Sequence, residues 1–424
     1  MQVLTMNDHG DAWARADIVI RDSEIEAIGP DAGAGCVCDR TIEGRDLLAL
    51  PGFVNTHTHL AMTLLRGYAD DMRLMPWLQE KIWPAETRLR PEDVYWGSLL
   101  GILESLRAGV TTFTDMYHHF DATAQAVVES GIRACLSGVV LGMLPGAKEQ
   151  VARDRAFVET WQGAGDGRIT AMIGPHAPYT CPDDILRLVL DAARATSAPL
   201  HIHLSETRQD IEASMASHGV TPVQAMEQIG LFDVSWVVAA HCVHLTDEDI
   251  DILATRPVGV AHCPGSNMKL ASGVARLGDL LDRGAVVGLG TDGAASNNNL
   301  DLLEEARLAA LQEKIRTNDP TALSAPRALA LATRDGARAL RLGDQVGMLA
   351  PGMKADVIVI DTHQPHLWPQ HDMVSHLVYA ARSSDVCATI VNGELLYDHG
   401  EFPRLDHEKI MAEAAASAAR LMPG

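Results

Sequence analysis

Between residue 50 and about residue 315, short β-branched apolar runs alternate with longer stretches of helical periodicity. GFVNTHTH (52–59), VTTFTDM (110–116), IRACLSGVV (132–140) and ITAMIGPH (169–176) predict four strands. PLHIHLSE (199–206), VVAAHC (237–242), VGVAHC (258–263) and AVVGLGTD (285–292) predict four more. PEDVYWGSLLGILESLRAG, CPDDILRLVLDAARAT and LDLLEEARLAALQEK predict helices among them. Thr180 with Asp183, and Thr246 with Asp249, have the spacing of helix starts.

Buried strands alternating with helices imply a parallel sheet with right-handed crossovers, and eight strands are enough to close a barrel. A doubly wound open sheet is the competing arrangement. The polar residues favour the barrel: seven of the eight strand ends carry His57/His59, Asp115, His176, His203, His241, His262 and Asp292. A barrel brings those ends to one face, where its chemistry is done. The expected fold is therefore α/β, a (β/α)8 TIM-type barrel over residues 52–348.

The flanks have a different texture. In residues 1–51, ADIVIRDSEIEAIGP reads as two short strands around a turn. In residues 349–424, PGMKAD predicts a turn, DVIVID a strand, and ATIVNGELLYD a hairpin about Asn392-Gly393. Each flank is too short for a core of its own. The two are expected to combine into one β-rich domain, closed by a helix at about 405–421.

Composition narrows the partners. A formal net charge of -22 disfavours nucleic acid and anionic membrane as partners, which leaves a small-molecule substrate. No apolar run is long enough to span a bilayer, and no signal peptide is visible at MQVLTMNDHGDAW. Seven scattered cysteines, including Cys36 and Cys38 in a small-residue loop, suit a reducing cytoplasm better than a disulfide framework.

The chemistry starts at His57 and His59. Two apart on a strand, they point the same way, and into a barrel they would converge on one ion. An isolated HxH is more often a surface or core feature. Here PGFVN precedes it, HLSE follows strand five and GTDG ends strand eight, so His203 and Asp292 complete a metal set with an open position. His201 shares the direction of His203 and is set aside as a packed or hydrogen-bonded histidine. Glu206, just past His203, is placed to cycle a proton; its alternative is an acid at the start of a helix. His241 is placed to hydrogen-bond the activated water, and His262 and Asp115 divide between supporting and structural roles. GLGTDG (288–293) matches a dinucleotide fingerprint, but AASNNN follows instead of a helix. HExxH, PCxxC and GxSxG are absent, so hydrolysis is expected through an ion-activated water.

At these residues the chain resembles the amidohydrolase superfamily, and specifically its 5-methylthioadenosine/S-adenosylhomocysteine deaminase branch. The resemblance is carried by LPGFVNTHTHLAMTLLRGYADDMRLMPWLQEKIWPAE, GPHAPYT, HIHLSET, AAHCVHL, HCPGSNMKLASG and LGTDGAASNNNLDLLEEARLAAL. It implies a (β/α)8 barrel with a composite β-sandwich from both termini. It also implies one divalent ion per subunit on His57, His59, His203 and Asp292: zinc, with Fe2+ or Mn2+ as alternatives. Asp292 would take a proton from water and Glu206 would deliver one to the purine ring. Glu86 would hold the ribose hydroxyls, His176 would contact substrate and Trp83 would line the pocket.

The implied reaction is deamination of an adenine nucleoside to its inosine analogue and ammonia. Deaminases of guanine, pterin or cytosine, or a triazine hydrolase, are the alternative, and a homo-oligomer is compatible with the reading. One departure matters. Some members carry arginines after the third strand to clamp a homocysteine carboxylate. Here that stretch reads CLSGVVLGMLPGAKEQ, with no arginine before Arg153. Methylthioadenosine or adenosine is therefore expected over S-adenosylhomocysteine.

Overall fold

The computed structural model describes residues 1–422, so the last two residues of the C-terminal segment lie outside it. Five short strands open the chain: β1 (Gln2–Leu4), β2 (Ala12–Trp13), β3 (Asp17–Arg21), β4 (Glu24–Gly29) and β5 (Leu47–Pro51). Eight buried strands follow. They are β6 (Phe53–Thr58), β7 (Val110–Met116), β8 (Arg133–Ser137), β9 (Ile169–Met172), β10 (Leu200–Leu204), β11 (Val237–His241), β12 (Val258–His262) and β13 (Val286–Leu289). The chain ends on β14 (Val357–Asp361), β15 (Val386–Val391), β16 (Glu394–Asp398) and the helix His407–Leu421.

The eight central strands form two parallel four-stranded sheets, in orders β6-β7-β8-β9 and β10-β11-β12-β13. Helices such as Pro91–Arg107 and Asp183–Thr196 fall between consecutive strands, as parallel connections require. The sheets meet at two seams. At one, a parallel bridge joins Ile173 to Leu200, and His201 N donates to Ile173 O at 3.0 Å. At the other, Asp292 N donates to His57 O at 3.0 Å. Gly290 makes that second approach feasible, because a Cβ there would lie 2.9 Å from the His57 Cβ. The result is an α/β fold whose parallel sheets are consistent with a TIM-type barrel. No helix among the described residues is long and apolar enough to cross a membrane.

Both ends of the chain share one six-stranded sheet, in order β16-β15-β14-β5-β1-β2. Within it β14 pairs antiparallel with β5. The hairpin β3–β4 packs on this sheet through Ile18, Ile20, Ile25 and Ile28. Asn392 and Gly393 turn the β15–β16 hairpin with φ of 51° and 82°, values that favour this pair.

The sequence pattern does not anticipate β1, β2 and β5, which pair with one another and, through β5, with β14. One expectation needs correcting. Thr180 does not cap a helix. The helix begins at Asp183 behind Pro182, and the Thr180 hydroxyl instead bonds Ala177 O and lies 3.0 Å from His176 Nδ1. Thr246, by contrast, forms the expected capping box with Asp249.

A buried ion pair ties the two parts together. Arg133, on β8, makes a fork of two 3.1 Å bonds to Asp356, which also accepts from Asn392 N at 2.7 Å. Both side chains are almost fully buried. Removing one partner strands a charge in a dry site, so Asp356→Ala should destabilise the fold by about 3–5 kcal/mol. Denaturant unfolding would measure this, and a loss under about 1 kcal/mol would show that water reaches Arg133.

Candidate metal and substrate site

β6 ends at the proposed metal face. His57 lies on the strand and His59 directly after it, and with β10 they bring His57, His59 and His203 together. Asp292, three residues past β13, completes the group. Its Oδ1 is 3.4 Å from His57 Nε2 and 3.3 Å from His59 Nε2, while His203 Nε2 is 3.3 Å from His59 Nε2. His57, His59 and His203 thus form one cluster able to hold an ion, and His57, His241 and Asp292 form a second that shares His57.

Their other atoms are already engaged. His59 Nδ1 lies 2.6 Å from Met116 O and His203 Nδ1 lies 2.7 Å from His176 O. Ser266 and Ser296 donate to Asp292 Oδ2 at 2.6 and 2.8 Å, and Gly293 N donates to Oδ1 at 2.7 Å. His57 Nε2 is buried with no hydrogen-bond partner. Buried polar atoms are rarely left unpaired. An unpaired ring nitrogen facing two other imidazoles and a carboxylate fits a zinc-class ion, which takes such donors.

Burial and charge act differently on the candidate donors, and an ion would have to displace the proton that Asp292 holds on His59. Burial pushes His57 down to about 4, which leaves it neutral and able to bind a cation. Burial acts the same way on His59, but Asp292 outweighs it and holds that ring up at about 9. Burial would raise Asp292, yet the two imidazoles outweigh it and keep the carboxyl well below the usual range. Asp292 and His241 also hold left-handed backbone, with φ of 62° and 72°. Such conformations persist only where surrounding contacts over-determine them.

Glu206 and His241 flank the donor group. Ser272 donates to Glu206 Oε1 at 3.1 Å, and His241 Nε2 lies 3.9 Å from Glu206 Oε2. His241 Nδ1 is 2.9 Å from Asn267 Oδ1. Burial pushes Glu206 up to about 7, opposed by His241, so this carboxyl can hold or release a proton near neutrality. It is not a helix cap: Thr207 fills that position before the helix Arg208–His218.

A cavity of about 630 Å³, its mouth included, opens over these groups. Trp83, Glu86 and His176 line it together with His59, His203, Glu206, His241 and Asp292. Glu86 and Trp83 arrive on the short helix Trp83–Glu86, which follows a π-helical turn at Leu78–Ile82. That turn shifts the phase of the side chains after it. Burial pushes His176 down to about 3, so it presents a neutral ring to the cavity.

Asp115 and His262 do not line the cavity. Asp115 accepts from Leu60 N at 2.6 Å and so supports the turn that carries His59, whereas His262 is buried without a partner on either nitrogen. Sequence reasoning missed Ser266, Asn267, Ser272 and Ser296, which hold the functional carboxylates and His241. The first three lie in HCPGSNMKLASG, but polar residues outside regular periods carry no sign of what they will bond. It also missed His118 and Tyr117 beside Glu86. His118 Nε2 lies 3.7 Å from Glu86 Oε2.

Known proteins share this architecture. A protein of Pelotomaculum thermopropionicum named 5-methylthioadenosine/S-adenosylhomocysteine deaminase is 53% identical over 422 residues, 99% of this chain and 97% of its own. An adenosine deaminase structure from Xanthomonas campestris with bound zinc has a TM-score of 0.95 at 35% identity, covering 99% of this chain and 97% of that one. Atrazine chlorohydrolase TrzN from Arthrobacter aurescens, complexed with zinc, has a TM-score of 0.89 at 27% identity, covering 98% of each chain. The Amidohydrolase family pattern matches residues 48–396, most of the length, and this chain belongs to the amidohydrolase family.

Proposed function

We propose that this protein is a metal-dependent deaminase of adenine nucleosides, converting 5'-methylthioadenosine or adenosine to the inosine analogue and ammonia. The observation that carries this reading is a single cavity lined by His59, His203, His241 and Asp292 together with Glu206 and Glu86. The naming of the Pelotomaculum relative and of the Xanthomonas structure supports the same chemistry. In this reading β6 to β13 close into a (β/α)8 barrel over residues 52–348. Residues 1–51 and 349–424 make the composite β-sandwich with its terminal helix. Seven free cysteines support a cytoplasmic setting.

His57, His59, His203 and Asp292 would hold one divalent ion, with zinc favoured by the zinc in both structural relatives. When bound, the ion supplies Lewis-acid activation of the attacking water. Asp292 takes one proton from that water as its oxygen bonds to C6, while Glu206 protonates the neighbouring ring nitrogen. His241 orients the water. Asp292 then passes its proton to the amino group, the C6–N bond breaks and ammonia leaves. The remaining water proton returns to Glu206 as the carbonyl forms, and both carboxyls end as they began. Glu86 would accept from the ribose hydroxyls, with His176 and Trp83 holding the base and sugar.

The cavity wall argues for the substrate. Val139 and Leu141, after β8, line it, and neither lysine nor arginine does so among the described residues. Arg153 is engaged with Gln150 at the surface. A homocysteine carboxylate would find no forked partner there. Ultraviolet-monitored deamination of methylthioadenosine, adenosine and S-adenosylhomocysteine by zinc-loaded protein tests this. The expected result is loss of the adenine spectrum with ammonia release, strongest for the first two. No change with any of the three would reject adenine nucleosides and point to another heterocyclic amine. Fastest turnover of S-adenosylhomocysteine would refute the argument from the apolar wall.

A further inference from the structure

We infer that His201 is a positioning residue for the proposed metal centre, accepting the Nδ1–H of His57 so that the His57 Nε2 lone pair faces the ion. The inference rests on the reading of His57 as a ligand. His57 Nδ1 and His201 Nε2 are 2.8 Å apart, with the two rings nearly perpendicular at 87°. Both residues are fully buried. His201 precedes His203 by two on β10, so both point to the same side of the sheet and His201 sits one layer deeper.

The argument turns on which nitrogen carries the proton. A neutral imidazole has one N–H and one lone pair, and only the lone pair binds a metal. His59 and His203 each place Nδ1 against a backbone carbonyl, which can only accept. Their Nδ1 must therefore donate, so in the neutral ring that binds an ion the lone pair lies on Nε2. His57 has no such carbonyl at Nδ1. Its partner is another imidazole, which can donate or accept.

If His201 Nε2 carried the proton, His57 Nδ1 would have to accept it. The His57 proton would then sit on Nε2 and block the site. His201 is useful only with its proton on Nδ1. That atom is buried with no hydrogen-bond partner among the described residues, so nothing there competes for the tautomer. His201 thus does for His57 what main-chain carbonyls do for the other two histidines. Outer partners of this kind orient metal-bound imidazoles and raise their basicity.

Zinc affinity, measured by competition with a chromophoric chelator, tests the inference without relying on turnover. His201→Phe keeps a ring but removes the acceptor, and His201→Gln restores an acceptor oxygen. The Phe variant should bind zinc about 10–100-fold more weakly, with the Gln variant recovering part of the loss. Circular dichroism of the metal-free proteins checks that both fold. Wild-type zinc affinity in His201→Phe, alongside lost affinity in His57→Ala, would overturn the role of His201 while leaving the metal site intact. Undiminished affinity in His57→Ala as well would overturn the site reading and this inference with it. If neither His201 variant folds, the wild-type protein still decides. With zinc bound and histidines labelled with 15N, a through-bond coupling between His57 Nδ1 and His201 Nε2 is expected, and its absence would overturn the hydrogen bond.

Discussion

Glu206→Gln should lower kcat by about 10²–10⁴-fold while zinc content stays at the wild-type level. The substitution keeps the size of the side chain and its ability to accept from Ser272, but removes the proton that moves. Glu206 suits the role because burial lifts it to about 7, while Ser272 and nearby His241 keep it aimed into the cavity. A glutamate acting as acid must enter the cycle protonated. Activity that requires it is therefore lost as pH rises through its pKa, and a remote structural residue would give no such limb. Steady-state rates and metal analysis on the same preparation check both parts. Near-normal turnover in the Gln variant would remove Glu206 from the mechanism, and lost zinc would recast it as a ligand.

Asp292→Ala is expected to lose zinc and turnover together. The zinc loss should exceed the roughly 10–100-fold cost of removing an outer hydrogen-bond partner. Asp292 combines three jobs: its Oδ1 faces His57 and His59, its Oδ2 accepts from Ser266 and Ser296, and its backbone closes the seam to β6. Deleting the carboxylate removes an anion that faces both imidazoles and leaves the buried Ser266 hydroxyl without its acceptor. Metal content after dialysis, followed by assay with added zinc, separates the two losses. If excess zinc restores full activity, Asp292 serves binding alone and another group must take the proton from water. Full zinc retention would remove it from the ligand set.

These expectations also mark what was legible before any fold was known. The eight central strands are apolar, rich in β-branched residues and alternate with helical stretches, so local pattern locates them. The histidines at their ends follow from the same registration, because a strand that begins and ends in a known place carries its terminal residue to a known face. The Asn392-Gly393 hairpin was equally local, since left-handed backbone is inexpensive for that pair. Thr180 shows the limit: its spacing to Asp183 was right for a cap, but Pro182 starts the helix later and the hydroxyl turns to His176.

What the sequence by itself determined was the order and type of the central elements and the set of candidate residues for the chemistry. Each of those rests on patterns within a few positions of one another, or on family blocks that span such lengths. Only the tertiary structure decided which groups would support that set. The bond between His57 and His201 joins positions 144 apart, and Ser266 reaches Asp292 from the loop after a different strand. His201 and His203 look alike along β10, two histidines on one face of one strand. Depth within the sheet separates them: His203 reaches the other donors, whereas His201 meets only the back of His57. No local period encodes depth, because it arises when the sheets curve and bring their ends together.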